Sequence, residues 1–250
     1  MSSRLFNIFY APLAAVLFVC VVFCVCMVLI AGPTLAMRRA IGRLGVRFSL
    51  LCIGVPLGVR GLENLPAGPA ICVSNHASYL DGLVLTAALP ARYTFVVQDG
   101  AAGWPLVGLT IRRMGVSFIN RGVPRAGAVQ TRALLKRLQA GESLAIFPEG
   151  TFEKELGLLH FKNGAFLLAE RAGVPIVPAV IRGTRRLWGG GRKLPRWSAV
   201  GVEFLPARAP EGTGRAQMLA LRDNVRRDIL ARCGEPDMEH PHAVPNDDKA

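Results

Sequence analysis

The chain has 250 residues, 51% of them hydrophobic, and a formal net charge of +13 at pH 7. This length favours one globular domain plus a membrane segment. The positive charge favours anionic partners such as phospholipid headgroups, phosphorylated substrates, coenzyme A or an acidic carrier protein. No nucleic-acid-binding motif accompanies the charge, so nucleic acid is not an expected partner. The six cysteines lack paired metal-type spacing and are predicted to be free thiols, which argues against a disulfide scaffold.

The N-terminal region is the most apolar part of the chain. It has no charged residue from Leu5 to Met37, and residues 8–31 exceed the roughly 20 apolar residues that a spanning helix needs. A cleaved signal peptide is the weaker alternative, because its apolar core is only about 7–15 residues long. The basic residues that follow the segment are Arg38, Arg39, Arg43 and Arg47. By the positive-inside rule, the sequence predicts a protein of the cell membrane whose remaining domain lies on the cytoplasmic side.

A second apolar stretch, residues 48–59, is too short to span a membrane alone. It can lie at the membrane interface or form an ordinary buried strand or helix, and the sequence leaves both open. At the other end, residues 235–250 hold five acids and one lysine. The predicted organisation is therefore a membrane anchor over residues 1–59, a globular domain over 60–234 and a disordered acidic tail over 235–250.

Short β-rich runs alternate with helical patterns beyond residue 60. The predicted strands are 70–74, 93–97, 115–120, 143–147, 175–181 and 199–205. The predicted helices are 81–89, 125–141, 163–173 and 215–234. Residues 187–197 are predicted to form a mobile basic loop. This alternation predicts an α/β fold with a mixed, largely parallel sheet flanked by helices, in which active residues follow the carboxyl ends of strands.

The segment "NHASYLD", residues 75–81, directly follows the first predicted strand of this domain. Ser78 and Asp81 have the spacing of a capping box, which explains both residues without catalysis. The pattern also suits a general base, since Asp81 can orient His76 and stabilise its protonated ring. The two interpretations are compatible. No nucleophile-elbow pattern occurs elsewhere, so we expect His76 to deprotonate a substrate hydroxyl directly.

Three further segments follow predicted strands or contain one. "GVSFINR" ends at Arg121, which can bind a phosphate, although a single arginine at such a place is more often solvent-exposed. "FPEGT" offers the acid Glu149, the flexible Gly150 and the hydroxyl of Thr151, but by itself it also suits a plain turn. "VPIVPAVI", residues 174–181, is predicted to be a core strand first and a wall for an acyl chain second.

Taken in order, "NHASYLD", "GVSFINR", "FPEGT" and "VPIVPAVI" resemble the four motifs of the glycerolipid acyltransferases. The similarity spans about residues 60–185, and it is to the type that esterifies 1-acylglycerol-3-phosphate, or lysophosphatidic acid, to give phosphatidic acid. Four motifs in the right order are far more specific than any one of them. The resemblance implies an α/β domain beside the membrane with an acyl-CoA or acyl carrier protein donor, a lysophospholipid acceptor, and no metal or organic cofactor.

The resemblance also implies roles for individual residues. His76 would be the general base and Asp81 its partner, while Arg121, Glu149 and Gly150 would bind the phosphorylated glycerol. The other expected substrate-binding residues are Thr151, Ser78 and Asn75, the last being a candidate oxyanion donor alongside backbone amides.

Two adjacent positions depart from the family pattern, because Phe152-Glu153 stands where relatives have Arg-Ser. This exchange removes a basic group and adds an acid, so another lysolipid, such as a lyso-ornithine lipid, is an alternative acceptor. A non-catalytic basic membrane scaffold and a lipid-ester hydrolase are the alternatives from other functional classes. The scaffold does not explain why His, Asp, Arg and Glu follow successive strand ends, and the hydrolase, in which His76 would activate water, lacks a nucleophile elbow or a metal cluster.

Overall fold

A computed structural model describes residues 3–98, 100, 103–119, 124–151, 153–189 and 191–239. The helices are α1 (Ser3–Ala31), α2 (Leu35–Cys52), α3 (Leu80–Ala88), α4 (Pro105–Arg113), α5 (Pro124–Gln139), α6 (Gly164–Ala172), α7 (Thr184–Trp188) and α8 (Arg215–Cys233). The strands are β1 (Leu57–Arg60), β2 (Ile71–Ser74), β3 (Tyr93–Gln98), β4 (Ser117–Ile119), β5 (Ser143–Ile146), β6 (Ile176–Arg182) and β7 (Val200–Phe204). A short 3₁₀ helix covers Leu62–Asn64.

The strands form one sheet in the order β1-β7-β6-β2-β5-β3-β4. Every neighbouring pair is parallel except β6 and β7, which are antiparallel. The prediction of a mixed, largely parallel sheet is thus confirmed. Since β2 and β5 are parallel neighbours, the residues that follow their carboxyl ends meet at one edge of the sheet.

The central strand β2 is buried on both faces, as expected for a parallel strand covered by helices. Cys72 packs into a core shared with α1, α2 and α3, whereas Ile71 and Val73 pack into a core shared with α5, α6 and α8. This alternation follows from the period of two residues in a strand. The N-terminal helices and the C-terminal helices therefore cover opposite faces of the sheet.

Helix α1 packs against the domain along its length. Near its start the Tyr10 hydroxyl donates to the carbonyl of Ile53 at 3.0 Å, and near its end Arg113 donates to the carbonyl of Ile30 at 2.7 Å. The opposite side of α1 is apolar and uncovered, exposing Ile8, Phe9, Leu13, Val16, Val19, Phe23, Met27 and Val28. Among the described residues, the stretch Asn7–Ala31 is the one helical segment long and apolar enough to cross a membrane.

The second apolar stretch is divided between two elements, which neither alternative described. Residues 48–52 complete α2, and residues 57–59 begin β1. Strand β1 pairs in parallel with β7, with Leu57 opposite Val200. The predicted domain boundary after residue 59 therefore cuts through a strand of the sheet. This strand was missed because it is an edge strand of four residues in which Gly58 and Arg60 are exposed, which weakens its apolar signal.

The predicted acidic tail begins later than expected. Residues 235–239 pack against the domain, where Glu235 pairs with Arg185 at 2.8 Å and Asp237 pairs with Arg226 at 2.6 Å. Disorder is thus the wrong prediction for these five residues, because their carboxylates meet arginines that the tertiary fold brings to them. Residues 240–250 lie outside the described residues. The predicted basic loop is also shorter than expected, since Leu187 and Trp188 belong to α7.

Candidate active site

The side chains of His76 and Asp81 meet just beyond the carboxyl end of β2. Nδ1 of His76 lies 2.9 Å from Oδ2 of Asp81, which is completely buried. The same carboxylate oxygen accepts the backbone N–H groups of Ala77 at 2.5 Å and Ser78 at 2.8 Å. Since Asp81 lies in the first turn of α3, the helix N-terminus also favours its negative charge. The carboxylate is therefore held in place before it contacts the imidazole.

This arrangement defines the chemistry of the His76 ring. With the Nδ1 proton donated to the carboxylate, Nε2 is the nitrogen that carries the lone pair and can accept a proton. The face of the ring stacks on Phe147, with centroids 4.2 Å apart and an angle of 17° between the planes. The side chain of His76 remains 17% exposed. One edge and one face of the imidazole are thus fixed by the protein.

The N-cap position of α3 is Tyr79 and not the predicted Ser78, which instead contacts the start of the helix and a distant segment. The Ser78 hydroxyl accepts the N–H of Leu80 at 3.1 Å and donates to the carbonyl of Trp188 at 2.6 Å. Asn75 is likewise buried, and its side chain exchanges two hydrogen bonds with the backbone of Ile181. These bonds tie the turn after β2 to β6 and to the end of α7. The polar groups of both side chains therefore form hydrogen bonds with the backbone.

The side chain of Glu149 contacts the backbone of His76. One of its carboxylate oxygens accepts the backbone N–H of His76 at 2.6 Å, and the other accepts that of Leu159 at 2.9 Å. The pKa of the carboxyl is raised to about 8, mainly by burial and to a lesser extent by the charges of Glu235 and Asp81, which together outweigh the lowering by the two N–H donors. Glu149 is 3% exposed. The structure thus places it between two backbone segments.

The remaining predicted substrate residues surround this turn. Gly150 has a φ of +79°, a left-handed conformation that favours glycine, and its N–H donates to the carbonyl of Phe147 at 3.1 Å. Thr151 is exposed. Arg121 and Phe152 lie outside the described residues. Within the described ranges, no group of three or more His, Cys, Asp or Glu side chains is placed to hold a metal ion.

The geometry restricts where an oxyanion can be stabilised. The backbone N–H groups of His76, Ala77 and Ser78 all donate to carboxylates, to Glu149 in the first case and to Asp81 in the other two. These amides are therefore already used by the ground-state structure. The oxyanion role expected of backbone amides cannot be assigned to this turn.

Two functional contacts were missed by the sequence reasoning. Phe147 lies within "FPEGT", but its stacking on His76 depends on the pairing of β5 with β2, in which Ile146 is opposite Val73. Trp188 supports Ser78 through its carbonyl, and its ring lies edge-on to Phe18 of α1 with centroids 6.1 Å apart. No local signal could have found Trp188, since a backbone carbonyl forms the contact.

Comparisons with known proteins agree with this architecture. A family model described as Acyltransferase matches residues 57–182. The human protein named 1-acyl-sn-glycerol-3-phosphate acyltransferase beta is 34% identical over 227 residues, covering 88% of this chain and 81% of that protein. The chloroplastic protein of Arabidopsis thaliana named 1-acyl-sn-glycerol-3-phosphate acyltransferase LPAT1 is 32% identical over 201 residues, which is 76% of this chain. This chain covers 55% of that relative and 39% of its counterpart from Brassica napus, so it spans about half the length of these proteins.

A solved structure has the same fold. The crystal structure titled as the 1-acyl-sn-glycerophosphate (LPA) acyltransferase, PlsC, from Thermotoga maritima matches with a TM-score of 0.73. The match covers 92% of this chain and 95% of that chain, at 21% sequence identity.

Proposed function

Because the chain belongs to the acyltransferase family, we propose that it transfers a fatty acyl group to the free hydroxyl of 1-acylglycerol-3-phosphate, giving phosphatidic acid. The donor is a thioester, either acyl-CoA or an acylated carrier protein. The observation that carries the proposal is the buried Asp81 carboxylate 2.9 Å from Nδ1 of His76, which supports the role of general base for His76 at the carboxyl end of β2. The names of the relatives support the choice of acceptor.

In the proposed reaction, Nε2 of His76 accepts the proton of the acceptor hydroxyl while its oxygen attacks the thioester carbonyl. The new C–O ester bond forms, the C–S bond breaks, and the departing thiolate takes the proton back from the imidazolium. Asp81 stabilises the imidazolium by charge, and the face of Phe147 stabilises it as a cation–π partner. A positioned base of this kind contributes about 10²–10⁴ in rate.

The acceptor phosphate requires a cation, and we assign that role to Arg121 on the strength of the motif alone. Thr151 is exposed and directly follows Gly150, and it is proposed to contact the acceptor. In this proposal Asn75, Ser78 and Glu149 act as positioning residues, because their side chains are buried and bonded to backbone. Gly150 completes the turn that presents Thr151.

We place the protein at the cell membrane with its domain on the cytoplasmic side. The apolar outer face of α1 supports anchoring, and the arginines of α2, from Arg38 to Arg47, support the cytoplasmic side. Since α1 contacts the domain from Tyr10 to Ile30, the turn that carries His76 stays close to the lipid surface. A membrane-dissolved acceptor can then reach His76 without leaving the lipid.

The substrate assignment is tested with purified protein in detergent micelles, with radiolabelled acyl-CoA and acyl carrier protein as donors. The acceptors are lysophosphatidate, lysophosphatidylcholine and a lyso-ornithine lipid. The proposal expects radiolabelled phosphatidate with at least one donor. Product from lyso-ornithine lipid alone would retain the acyl transfer but contradict the acceptor, and would point to the acid at Glu153. Release of free fatty acid without acceptor would instead indicate a hydrolase.

A further inference from the structure

A short basic segment, Arg192–Trp197, here called the basic loop, protrudes from the domain. Its cations Arg192, Lys193 and Arg196 are exposed, as are Leu194 (49%) and Trp197 (42%). Within the described part of the chain, none of the three cationic side chains forms an ion pair or a hydrogen bond. The segment contains no acidic residue. It therefore presents uncompensated positive charge together with two uncovered apolar side chains.

The basic loop is fixed beside the N-terminal helices. The indole N–H of Trp197 donates to the carbonyl of Gly54 at 2.9 Å, just after α2, and its backbone N–H donates to Oδ1 of Asn7 in α1 at 3.4 Å. Pro195 is buried, and the N–H of Arg196 donates to the carbonyl of Leu187 at 2.7 Å. These contacts place the loop at the start of α1.

The neighbouring surface is strongly apolar. Ile8 and Phe9, which directly follow Asn7, are 63% and 75% exposed, and Leu51 at the end of α2 is 73% exposed. Trp197 thus lies where an uncovered apolar surface meets a cluster of cations. Tryptophan rings favour this position at a membrane interface, where one side of the ring contacts lipid and the other contacts water.

We propose that the basic loop is a second membrane-contact element, which binds the headgroups of anionic phospholipids while Trp197 and Leu194 enter the interface. The occupant is a lipid surface, because the charge is complementary to anionic headgroups and the loop is continuous with the apolar outer face of α1. Gly189 precedes the basic loop by three residues, and its backbone lies close to the carbonyl of Ala77 in the turn 75–81, which carries His76. Contact by the loop would therefore hold the turn that carries His76 near the headgroups. The inference concerns lipid binding and does not depend on the acyl-transfer reaction.

The charge requirement is tested by flotation with vesicles. The full-length triple variant Arg192→Gln, Lys193→Gln, Arg196→Gln is compared with a matched control, Arg132→Gln, Lys136→Gln, Arg171→Gln. The control removes the same charge from exposed positions of α5 and α6, which cover the opposite face of the sheet. Vesicles are phosphatidylcholine alone, or phosphatidylcholine with one third phosphatidylglycerol, at low and high salt.

We expect the loop variant to lose about tenfold or more of its partitioning onto phosphatidylglycerol vesicles at low salt, with the loss disappearing at high salt. Binding to phosphatidylcholine alone, which α1 supports, should be the same in all three proteins. Equal binding of the loop variant and the control variant to anionic vesicles would overturn the proposal. A loss confined to binding of an acidic carrier protein, with vesicle binding unchanged, would also overturn it.

The position of Trp197 is tested without altering the loop. Trp104→Phe with Trp188→Phe leaves Trp197 as the only tryptophan. Its fluorescence should be quenched by vesicles whose lipids carry bromine in the upper part of the acyl chain, and the emission should shift to shorter wavelength. Absence of quenching in protein that floats with the vesicles would overturn the insertion of Trp197.

Discussion

Glu149 accepts the backbone N–H of His76 at 2.6 Å, so the residue that follows β5 holds the residue that follows β2. The same carboxyl accepts the N–H of Leu159, which lies in the long connection to α6. One buried side chain thus joins two parts of the connection after β5 to the residue that follows β2. Through this bond the position of His76 depends on Glu149, although Glu149 itself is not open to substrate.

Replacing Glu149 tests this role through pH. Because burial raises its pKa to about 8, the folded protein favours the neutral carboxyl, so its contribution to stability is complete below about pH 4.5 and is lost as pH rises through 8. We expect the Tm of the unaltered protein to fall between about pH 4.5 and pH 8 and to level off above that range, and Glu149→Gln to flatten that fall. Calorimetry at several pH values measures it, and an identical slope in the variant would contradict the account. Glu149→Ala, which leaves two partly buried N–H groups without their acceptor, should cost about 2–4 kcal/mol.

Asp81→Asn tests the orientation of the base. The amide keeps the volume but removes the charge that holds the Nδ1 proton and receives the N–H groups of Ala77 and Ser78. We expect kcat to fall by about 10²–10⁴ with KM little changed. Asp228→Asn, at an exposed pair with Arg208, is the matched control and should retain activity. A kcat within threefold of the unaltered protein would exclude Asp81 from the mechanism.

Phe147 is predicted to be a positioning residue for the imidazolium. Phe147→Leu keeps an apolar side chain but removes the ring that stacks on His76, so kcat should fall by roughly 3- to 10-fold. Phe147→Tyr preserves the stacking and should restore most of the rate. Steady-state kinetics at saturating lysophosphatidate separates kcat from KM. If leucine and tyrosine variants have the same kcat, the stacking contributes nothing.

The C-terminal segment 235–239 is predicted to stabilise the fold. Ending the chain after Gly234 removes Glu235 and Asp237, which leaves the mostly buried Arg185 and Arg226 without their ion-pair partners. We expect this truncation to lower the free energy of unfolding by about 2 kcal/mol or more. Ending the chain after Glu239 keeps both pairs and serves as the control. Equal Tm values for the two truncations would show that the pairs are dispensable.

Much of the fold followed from local pattern. The strands β2 to β7 and the helices α3, α5, α6 and α8 were predicted because each has a clear apolar period bounded by glycine, proline or polar residues. Strand β1 was not predicted because Gly58 and Arg60 interrupt its short run of apolar residues. Helix α4 was not predicted; it has nine residues, and its Val107 and Leu109 are exposed whereas Gly108 and Thr110 are buried.

The candidate site was only partly predictable, for a topological reason. The pairing of His76 with Asp81 is local, since Asp81 begins the helix that follows the strand. The approach of Phe147 and Glu149 to His76 requires β5 to be the neighbour of β2. The order of strands in a sheet cannot be predicted from the sequence of any one strand. The sequence predicted that Glu149 binds substrate, and the structure adds two hydrogen bonds from backbone N–H groups that no local pattern indicated.

The central claim is that His76 is the general base for acyl transfer to lysophosphatidate. The most direct measurement is the single-turnover rate of radiolabelled phosphatidate formation by the unaltered protein, His76→Ala and the control His160→Ala. His160 is a suitable control because it pairs with Glu239 and its side chain is 51% exposed. The account predicts a loss of at least about a hundredfold for His76→Ala, with unchanged fold and vesicle binding, and near-normal rates for His160→Ala. Full activity in folded His76→Ala would contradict it.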